Sequence, residues 1–186
     1  MSTNYSSISI FSLLKTLGLS FALLFFSCED AVYELDNPFD PSNIDLDPPA
    51  IFFHPPEISA GVGESISVEL YGLELDPAAG AHFDIRYDWG SVTVDSVVPG
   101  PFFTGENDPM EITVDEQGVL DVFMYYLPDM SSEQSQSGTW SIATVYFSTI
   151  STGESELLFG PNTSFRDANN NLVTINDYGS GYINVE

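Results

Sequence analysis

Short runs of alternating apolar and polar residues fill most of this chain, and they constrain its fold more than any other feature. From Ala50 onward apolar residues recur at every second position, as in residues 66–70 and 81–87. The runs are rich in β-branched and aromatic residues, and turn formers such as residues 99–101 and 179–181 separate them. A period of two predicts strands with one buried face. The pattern predicts about nine short strands in an all-β sandwich or jelly roll.

The alternation also assigns side chains to the two faces of a sheet. In residues 81–87 the odd positions are predicted to be core, and the outward positions are His82, Asp84 and Arg86. In residues 120–126 the even positions are predicted to be core, and the outward positions are Asp121, Phe123 and Tyr125. Monomers seldom expose contiguous aromatic residues on a sheet without a partner. This outer face is therefore a candidate binding surface.

Acidic residues far outnumber basic ones. The 186 residues include 28 Asp and Glu against 3 Lys and Arg, which gives a formal net charge of -25. Such a surface repels phosphate backbones and anionic lipid, and three cations are too few for a basic patch. Nucleic-acid binding and electrostatic docking on a membrane are therefore excluded. The apolar fraction of 43% still suffices for a folded core.

The start of the chain has the pattern of an export signal. No acid precedes Glu29, and Lys15 is followed by an apolar run over residues 16–27, shorter than the roughly 20 residues that a transmembrane helix needs. The run ends in Leu-Phe-Phe-Ser before the only cysteine, Cys28, which resembles the bacterial lipobox. We predict a lipoprotein signal peptide over residues 1–27 and lipidation of Cys28. The alternative is a free buried cysteine, and the long segment before Lys15 also fits a mis-assigned start codon.

Proline and acidic residues dominate the segment after the cysteine. Six of the 12 prolines lie between Pro38 and Pro56, which disfavours regular structure. We predict a lipidated N-terminus and a stiff acidic tether over residues 28–49, followed by one β-sandwich domain over residues 50–186. Residues 37–41 resemble a spacer of Gram-negative surface lipoproteins, or form an ordinary Asx-Pro turn. The predicted location is the bacterial cell envelope, on the outer membrane or cell surface, with the lipid as the only membrane contact.

Motifs of catalytic chemistry are absent from the sequence. It contains no nucleophile elbow, no zinc-binding helix motif and no phosphate loop, so we predict neither enzymatic activity nor a cofactor. His54 is expected in a loop, and His82 on a sheet surface. Residues 167–171 offer oxygen ligands at alternating positions, as a calcium loop does, but lack its Gly and Glu. We therefore predict an Asx turn there, and no metal site.

The succession of strands resembles the cohesin domain. Residues 80–88, Gly-Ala-His-Phe-Asp-Ile-Arg-Tyr-Asp, are similar to the family's Gly-Ala-x-Phe-x-[Leu/Ile]-x-Tyr-Asp strand. Residues 92–103 resemble its next strand, which ends in Phe-Phe, and residues 138–147 its Gly-x-x-x-[Leu/Ile]-Ala-x-[Ile/Val]-x-Phe strand. The turn after Phe165 and the closing strand at residues 181–185 also follow the family pattern. The resemblance covers roughly residues 50–186.

This resemblance implies a nine-stranded jelly roll that binds dockerin modules, which polysaccharide-degrading enzymes usually carry. The recognition face of the family is formed by its third, fifth, sixth and eighth strands. Carried over to this chain, the predicted partner-binding residues are His82, Asp84, Arg86, Glu111, Thr113, Asp121, Phe123, Tyr125, Glu156 and Leu158. The acids among them are expected to form a rim.

Two alternatives remain open at this stage. The jelly roll is shared with carbohydrate-binding modules, which present aromatic rings in a flat row. Trp140 and Tyr146 are expected to point outward from the sheet opposite Phe123 and Tyr125, so no long planar strip forms, and protein binding is favoured. The other alternative is an envelope lipoprotein with a structural role.

Overall fold

The computed structural model describes residues 45–103, 108–127 and 135–186. They lie in the second of two compact units, residues 37–186, and contain no helix long and apolar enough to cross a membrane. Their regular structure consists of strands, which are β1 (Ala50–His54), β2 (Glu57–Ala60), β3 (Ser65–Leu75), β4 (Gly80–Arg86), β5 (Val92–Pro99), β6 (Met110–Asp115), β7 (Val119–Tyr125), β8 (Gly138–Thr149), β9 (Gly153–Phe159), β10 (Ser164–Arg166), β11 (Leu172–Val173), β12 (Asp177–Tyr178) and β13 (Gly181–Val185).

Two sheets form the sandwich, which confirms the predicted all-β class. The first has the order β12-β1-β3-β8-β5. The second has the order β11-β10-β4-β9-β13-β2, with β7 paired to β4 and β6 paired to β7. The described residues thus contain 13 strands where about nine were predicted. The additional strands are β1, β2, β10 and β12, which are too short or too uniformly buried for a period of two to show.

The core lies between the two sheets and has the predicted membership. Seven residues predicted to be core are all at most 8% exposed, namely Phe83, Ile85, Tyr87, Val122, Met124, Val145 and Phe147. Aromatic rings pack at its centre, where Phe83 meets Phe165 edge-on with ring centroids 5.3 Å apart. Burial of this apolar surface is the main favourable term in the stability of the domain.

Strand β1 is buried on both sides because a small second cluster covers its other face. Phe52 packs there with Leu73, and Leu46 lies against them. Asn176 fixes the preceding prolines, since its side-chain amide donates to the carbonyl oxygen of Pro48 at 2.7 Å. The end of the proline-rich segment therefore contacts the sandwich. Residues 1–44, with Cys28 and the signal sequence, lie outside the described residues.

Two expectations about individual positions are wrong. Trp140 was expected to point outward, but it packs against the core because a register shift between β3 and β8 at Leu70 and Tyr71 reverses the alternation along β8. Tyr146 lies beyond that shift and is exposed as predicted. His54, expected in a loop, is the last residue of β1 and pairs with Glu69.

Candidate functional site

The strands that carry the predicted binding residues lie side by side in the second sheet. β7 pairs with β4 along its whole length, β6 pairs with the other edge of β7, and β9 pairs with the end of β4. Antiparallel partners in register point to the same side of a sheet. The side of these four strands turned away from the core is called the outer face below, and the register decides which residues belong to it.

A compact group of three residues lies at the centre of the outer face. The imidazole of His82 on β4 stacks on the ring of Phe123 on β7, with centroids 4.1 Å apart and planes inclined by 12°. His82 Nε2 lies 2.7 Å from Asp121 Oδ1. The stacking and the polar contact together fix the imidazole, so the centre is preorganised. One side of the Phe123 ring is thereby covered and is not free to stack on a sugar.

The register of β6 contradicts the predicted placement of Glu111 and Thr113. Ile112 is the partner of the outward residue Phe123, whereas Glu111 and Thr113 pair with the buried residues Met124 and Val122. Glu111 and Thr113 therefore point to the opposite side of β6, and the Thr113 hydroxyl donates to Glu111 Oε1 at 2.7 Å. Since β6 is only partly covered on that side, it can hold polar side chains there.

Apolar side chains take the outward positions of β6. Met110, Ile112 and Val114 are 40%, 43% and 41% exposed. The Tyr125 hydroxyl donates to Met110 Sδ at 3.1 Å, which links this stripe to β7. The sequence reasoning missed these three residues because apolar alternation by default assigns the apolar set to the core. A weak signal existed, since their polar neighbours on β6 are no more regular than they are.

Asp84 is not part of an exposed rim, contrary to the prediction. It has the outward parity of β4, but its exposed fraction is 0% because the segment after β9 covers it. The backbone of Gly160 donates to the Asp84 carbonyl oxygen at 2.6 Å, and the Asn162 amide donates to Asp84 Oδ2 at 3.0 Å. Thr163 closes the cover, since its hydroxyl accepts from the Asp84 amide at 3.1 Å.

Arg86 extends from the same strand and pairs with the buried carboxylate. Its Nε donates to Asp84 Oδ1 at 2.9 Å, while its side chain remains 49% exposed. Burial alone would raise the pKa of Asp84, but the hydrogen bond and charge of Arg86, together with the Asn162 amide, outweigh it and hold that pKa below its usual value. Arg86 thus presents a charge that Asp84 already balances in part.

The remaining predicted residues lie on β9 and point outward. Leu158 pairs with Arg86 in register and is 41% exposed. Glu156 is exposed and accepts a hydrogen bond of 2.9 Å from the Tyr182 hydroxyl on β13, and this contact raises the pKa of Tyr182. The structure therefore brings together eight of the ten predicted residues with outward parity, of which Asp84 is covered.

Both arginines of residues 28–186 lie on this side of the second sheet. Arg86 is on β4, and Arg166 on β10 pairs with Gly80 of β4. The two cations of a domain with 28 acids thus flank the stacked pair of His82 and Phe123. Concentration of the few cations beside exposed apolar residues is typical of an interface, where Arg and aromatic residues are enriched.

The segment 167–171 forms the predicted Asx turn. Asp167 Oδ1 accepts from the backbone amides of Asn169 and Asn171, both at 2.8 Å, and Oδ2 accepts from the Asn171 side chain at 3.0 Å. These bonds, those from Asn171 first, lower the pKa of Asp167. Over residues 45–103, 108–127 and 135–186, no group of three or more His, Cys, Asp or Glu side chains is placed to hold a metal ion.

Comparison with known proteins gives one family and one fold. The sequence profile of the cohesin domain matches residues 53–185. No curated protein matches the chain. Similar solved structures include a non-cellulosomal cohesin from the archaeon Archaeoglobus fulgidus, with 17% identity, a TM-score of 0.59, and coverage of 74% of this chain and 90% of that one.

Two further structures show the same fold. The sixth cohesin of scaffoldin B from Acetivibrio cellulolyticus, solved in complex with a Cel5 dockerin, has 17% identity and a TM-score of 0.61, over 74% of this chain and 98% of that one. A type II cohesin from the same organism has 16% identity and a TM-score of 0.61, over 73% and 94% of the two chains.

The two-sheet fold and its outer face define a β-sandwich binding module. Because the family profile matches most of the sequence, the chain belongs to the cohesin family, whose members are non-catalytic protein-binding domains. The family prediction is confirmed.

Proposed function

We propose that the outer face binds a dockerin-type module of a partner protein. The observation that carries the proposal is the continuous apolar and aromatic surface of Ile112, Phe123, Tyr125 and Leu158 on an otherwise highly acidic domain. Interface centres combine aromatic anchors with few charges, and charged residues form the rim. Related structures of the same fold, including the Cel5 dockerin complex, were solved with dockerins bound.

The chain acts, in this proposal, as a receptor at the cell surface. Lipid on Cys28 anchors the chain, and the proline-rich segment separates the lipid from the domain. The partners are proteins that degrade polysaccharide, and the bound protein is thereby retained at the bacterial envelope. The sole cysteine after an apolar run and the lipobox-like residues before it support the anchor.

The binding face is tested by capture with the full chain as bait, purified in detergent. Dockerin modules and the native secretome serve as sources of partners, with insoluble polysaccharide in parallel. Phe123→Ala and Tyr125→Ala are each expected to weaken partner binding by about 2 kcal/mol or more, because truncation of an aromatic anchor leaves its contact surface unfilled. The matched control is Tyr146→Ala, which removes an exposed tyrosine from the other sheet. Undiminished capture by the double variant would contradict the proposal, and retention on polysaccharide in place of protein would favour carbohydrate binding.

The anchor is tested separately. Intact mass of the membrane-extracted protein is expected to show a chain that begins at Cys28 and carries acyl groups, and Cys28→Ser is expected to release the protein from the membrane fraction. A wild-type chain in the soluble fraction with a free thiol would show that the anchor assignment is wrong.

A further inference from the structure

A cleft opens on the outer surface of the second sheet where β4 lacks a side chain. Gly80 has outward parity, and its neighbours in register are Tyr125 on β7 and Arg166 on β10. The missing side chain leaves a space about 170 Å³ in volume between these two residues. His82 and Ser164, which pair with each other one step along the strands, line its other end. The space equals roughly six water volumes, enough for one small polar group.

The polar groups around this cleft are mainly donors. The Arg166 guanidinium uses one nitrogen, Nη1, to donate to the Asn170 carbonyl oxygen at 2.9 Å, which orients its plane. Among the described residues, no carboxylate lies within 4.0 Å of Arg166, and the Ser164 hydroxyl makes no recorded hydrogen bond. The acids close by are already engaged, since Asp121 contacts His82 and Asp167 caps its own turn.

We propose that this cleft binds a carboxylate group. A guanidinium offers a planar pair of donors that matches the two oxygens of a carboxylate, and the Ser164 hydroxyl adds a third donor beside it. The Tyr125 ring forms an apolar wall for the methylene groups that carry the carboxylate. The inference deepens the proposed function and rests on it in one respect, because the natural bearer of the carboxylate is the bound protein.

The structure also explains why the arginine is retained in so acidic a domain. An arginine that only supported the turn after β10 could be replaced by any donor able to reach the Asn170 carbonyl oxygen. Arg166→Gln therefore separates the two roles, because its amide still donates to that oxygen while the charge and the planar fork are lost. Ser67→Asp is the matched control, since it makes the same change in net charge at an exposed position of the other sheet.

The test uses small probes and needs no partner protein. Full chain labelled with ¹⁵N in detergent is titrated at low ionic strength with N-acetylglutamate α-amide, with N-acetylglutamine α-amide and with N-acetylalanine. The first probe carries a side-chain carboxylate, the second its neutral counterpart, and the third a chain-terminal carboxylate. The signals followed are the amides of Gly80 and Ser164 and the Arg166 Nε–H.

We expect at least one carboxylate probe to shift these signals to saturation with a Kd of about 1–10 mM, as suits a ligand of this size. The stronger of the two carboxylate probes identifies the source as a side chain or a chain terminus. Arg166→Gln is expected to weaken binding at least tenfold, and Ser67→Asp to change it less than twofold. Absence of saturation with both carboxylates, equal shifts with the glutamine probe, or full binding by Arg166→Gln would overturn the proposal.

The design keeps the two proposals apart. If partner capture fails but the carboxylate probes bind, the cleft is established and the dockerin-type function is wrong. If capture succeeds and depends on Phe123 and Tyr125 while no probe binds, the cleft assignment alone is wrong. Should Arg166→Gln fail to fold, the contrast between the glutamate and glutamine probes on the wild-type chain still decides the result.

Discussion

Asp84 shows how one residue can satisfy a pattern and still be misread by it. Alternation correctly gave it outward parity on β4, but the cover over it comes from the segment after β9, more than 70 residues further along the chain. No local pattern reports such a contact, because it depends on the tertiary path. A weak signal was present in the sequence, since burying a carboxylate requires donors and Arg86 lies two residues away.

We predict that Asp84→Asn lowers the free energy of unfolding by about 2 kcal/mol near neutral pH, because hydrogen bonds to a charged acceptor are lost. The folded-state pKa of Asp84 lies below its unfolded value, so its ionisation stabilises the fold above about pH 4. That contribution is lost as the pH falls through the folded-state pKa. The difference between wild type and variant should therefore shrink on acidification.

Urea denaturation at pH 7 and about pH 3 measures this difference. Asp76→Asn serves as the control, since Asp76 is exposed and the substitution should change stability by less than about 0.5 kcal/mol at either pH. A stability difference between wild type and Asp84→Asn that grows towards low pH would contradict the account of Asp84.

At the scale of secondary structure, the sequence predicted well those strands that have one buried face. The β4 and β7 patterns gave both the core and the outward residues, because each strand packs against the other sheet along one side only. β6 lies at the edge beyond β7 and has partly exposed sides, so burial does not sort its residues. Its apolar residues face outward, and only the register with β7 shows this.

The register of β6 yields a paired test with Ile112→Lys and Thr113→Lys. Both variants add one cation to neighbouring positions of the same strand, but only residue 112 lies on the outer face. We expect Ile112→Lys to weaken partner binding tenfold or more, since charge is disfavoured at the centre of an interface. Thr113→Lys should change affinity less than twofold. The measurement is affinity for the captured partner, with thermal unfolding of both variants as the check on folding.

The opposite order of effects, with Thr113→Lys the more damaging, would restore the face that alternation alone predicted. Equal, small effects of both substitutions would instead place β6 outside the interface. The pair therefore tests the register and the binding face together, without relying on the absolute affinity of the partner.

At the scale of the whole molecule, charge is the dominant feature. Residues 28–186 hold 28 acids and two arginines, a formal charge of -26. Repulsion of this kind keeps a protein soluble and opposes self-association, but it also destabilises the compact state. The sequence alone established this property, because it depends on composition rather than on placement. The placement of both arginines on one side of one sheet could be seen only in the structure.

We predict that the melting temperature rises as salt increases from about 10 to about 100 mM NaCl, because the screening length falls from roughly 30 to roughly 10 Å and the acids then repel one another less in the folded state. Differential scanning calorimetry of the full chain in detergent measures the change. A variant with Glu57, Glu116 and Glu154 replaced by Gln, all exposed positions, tests the cause. It should melt at a higher temperature than wild type in low salt and gain less on addition of salt. A wild-type melting temperature that falls with salt would instead mean that specific ion pairs, such as Arg86 with Asp84, outweigh the general repulsion.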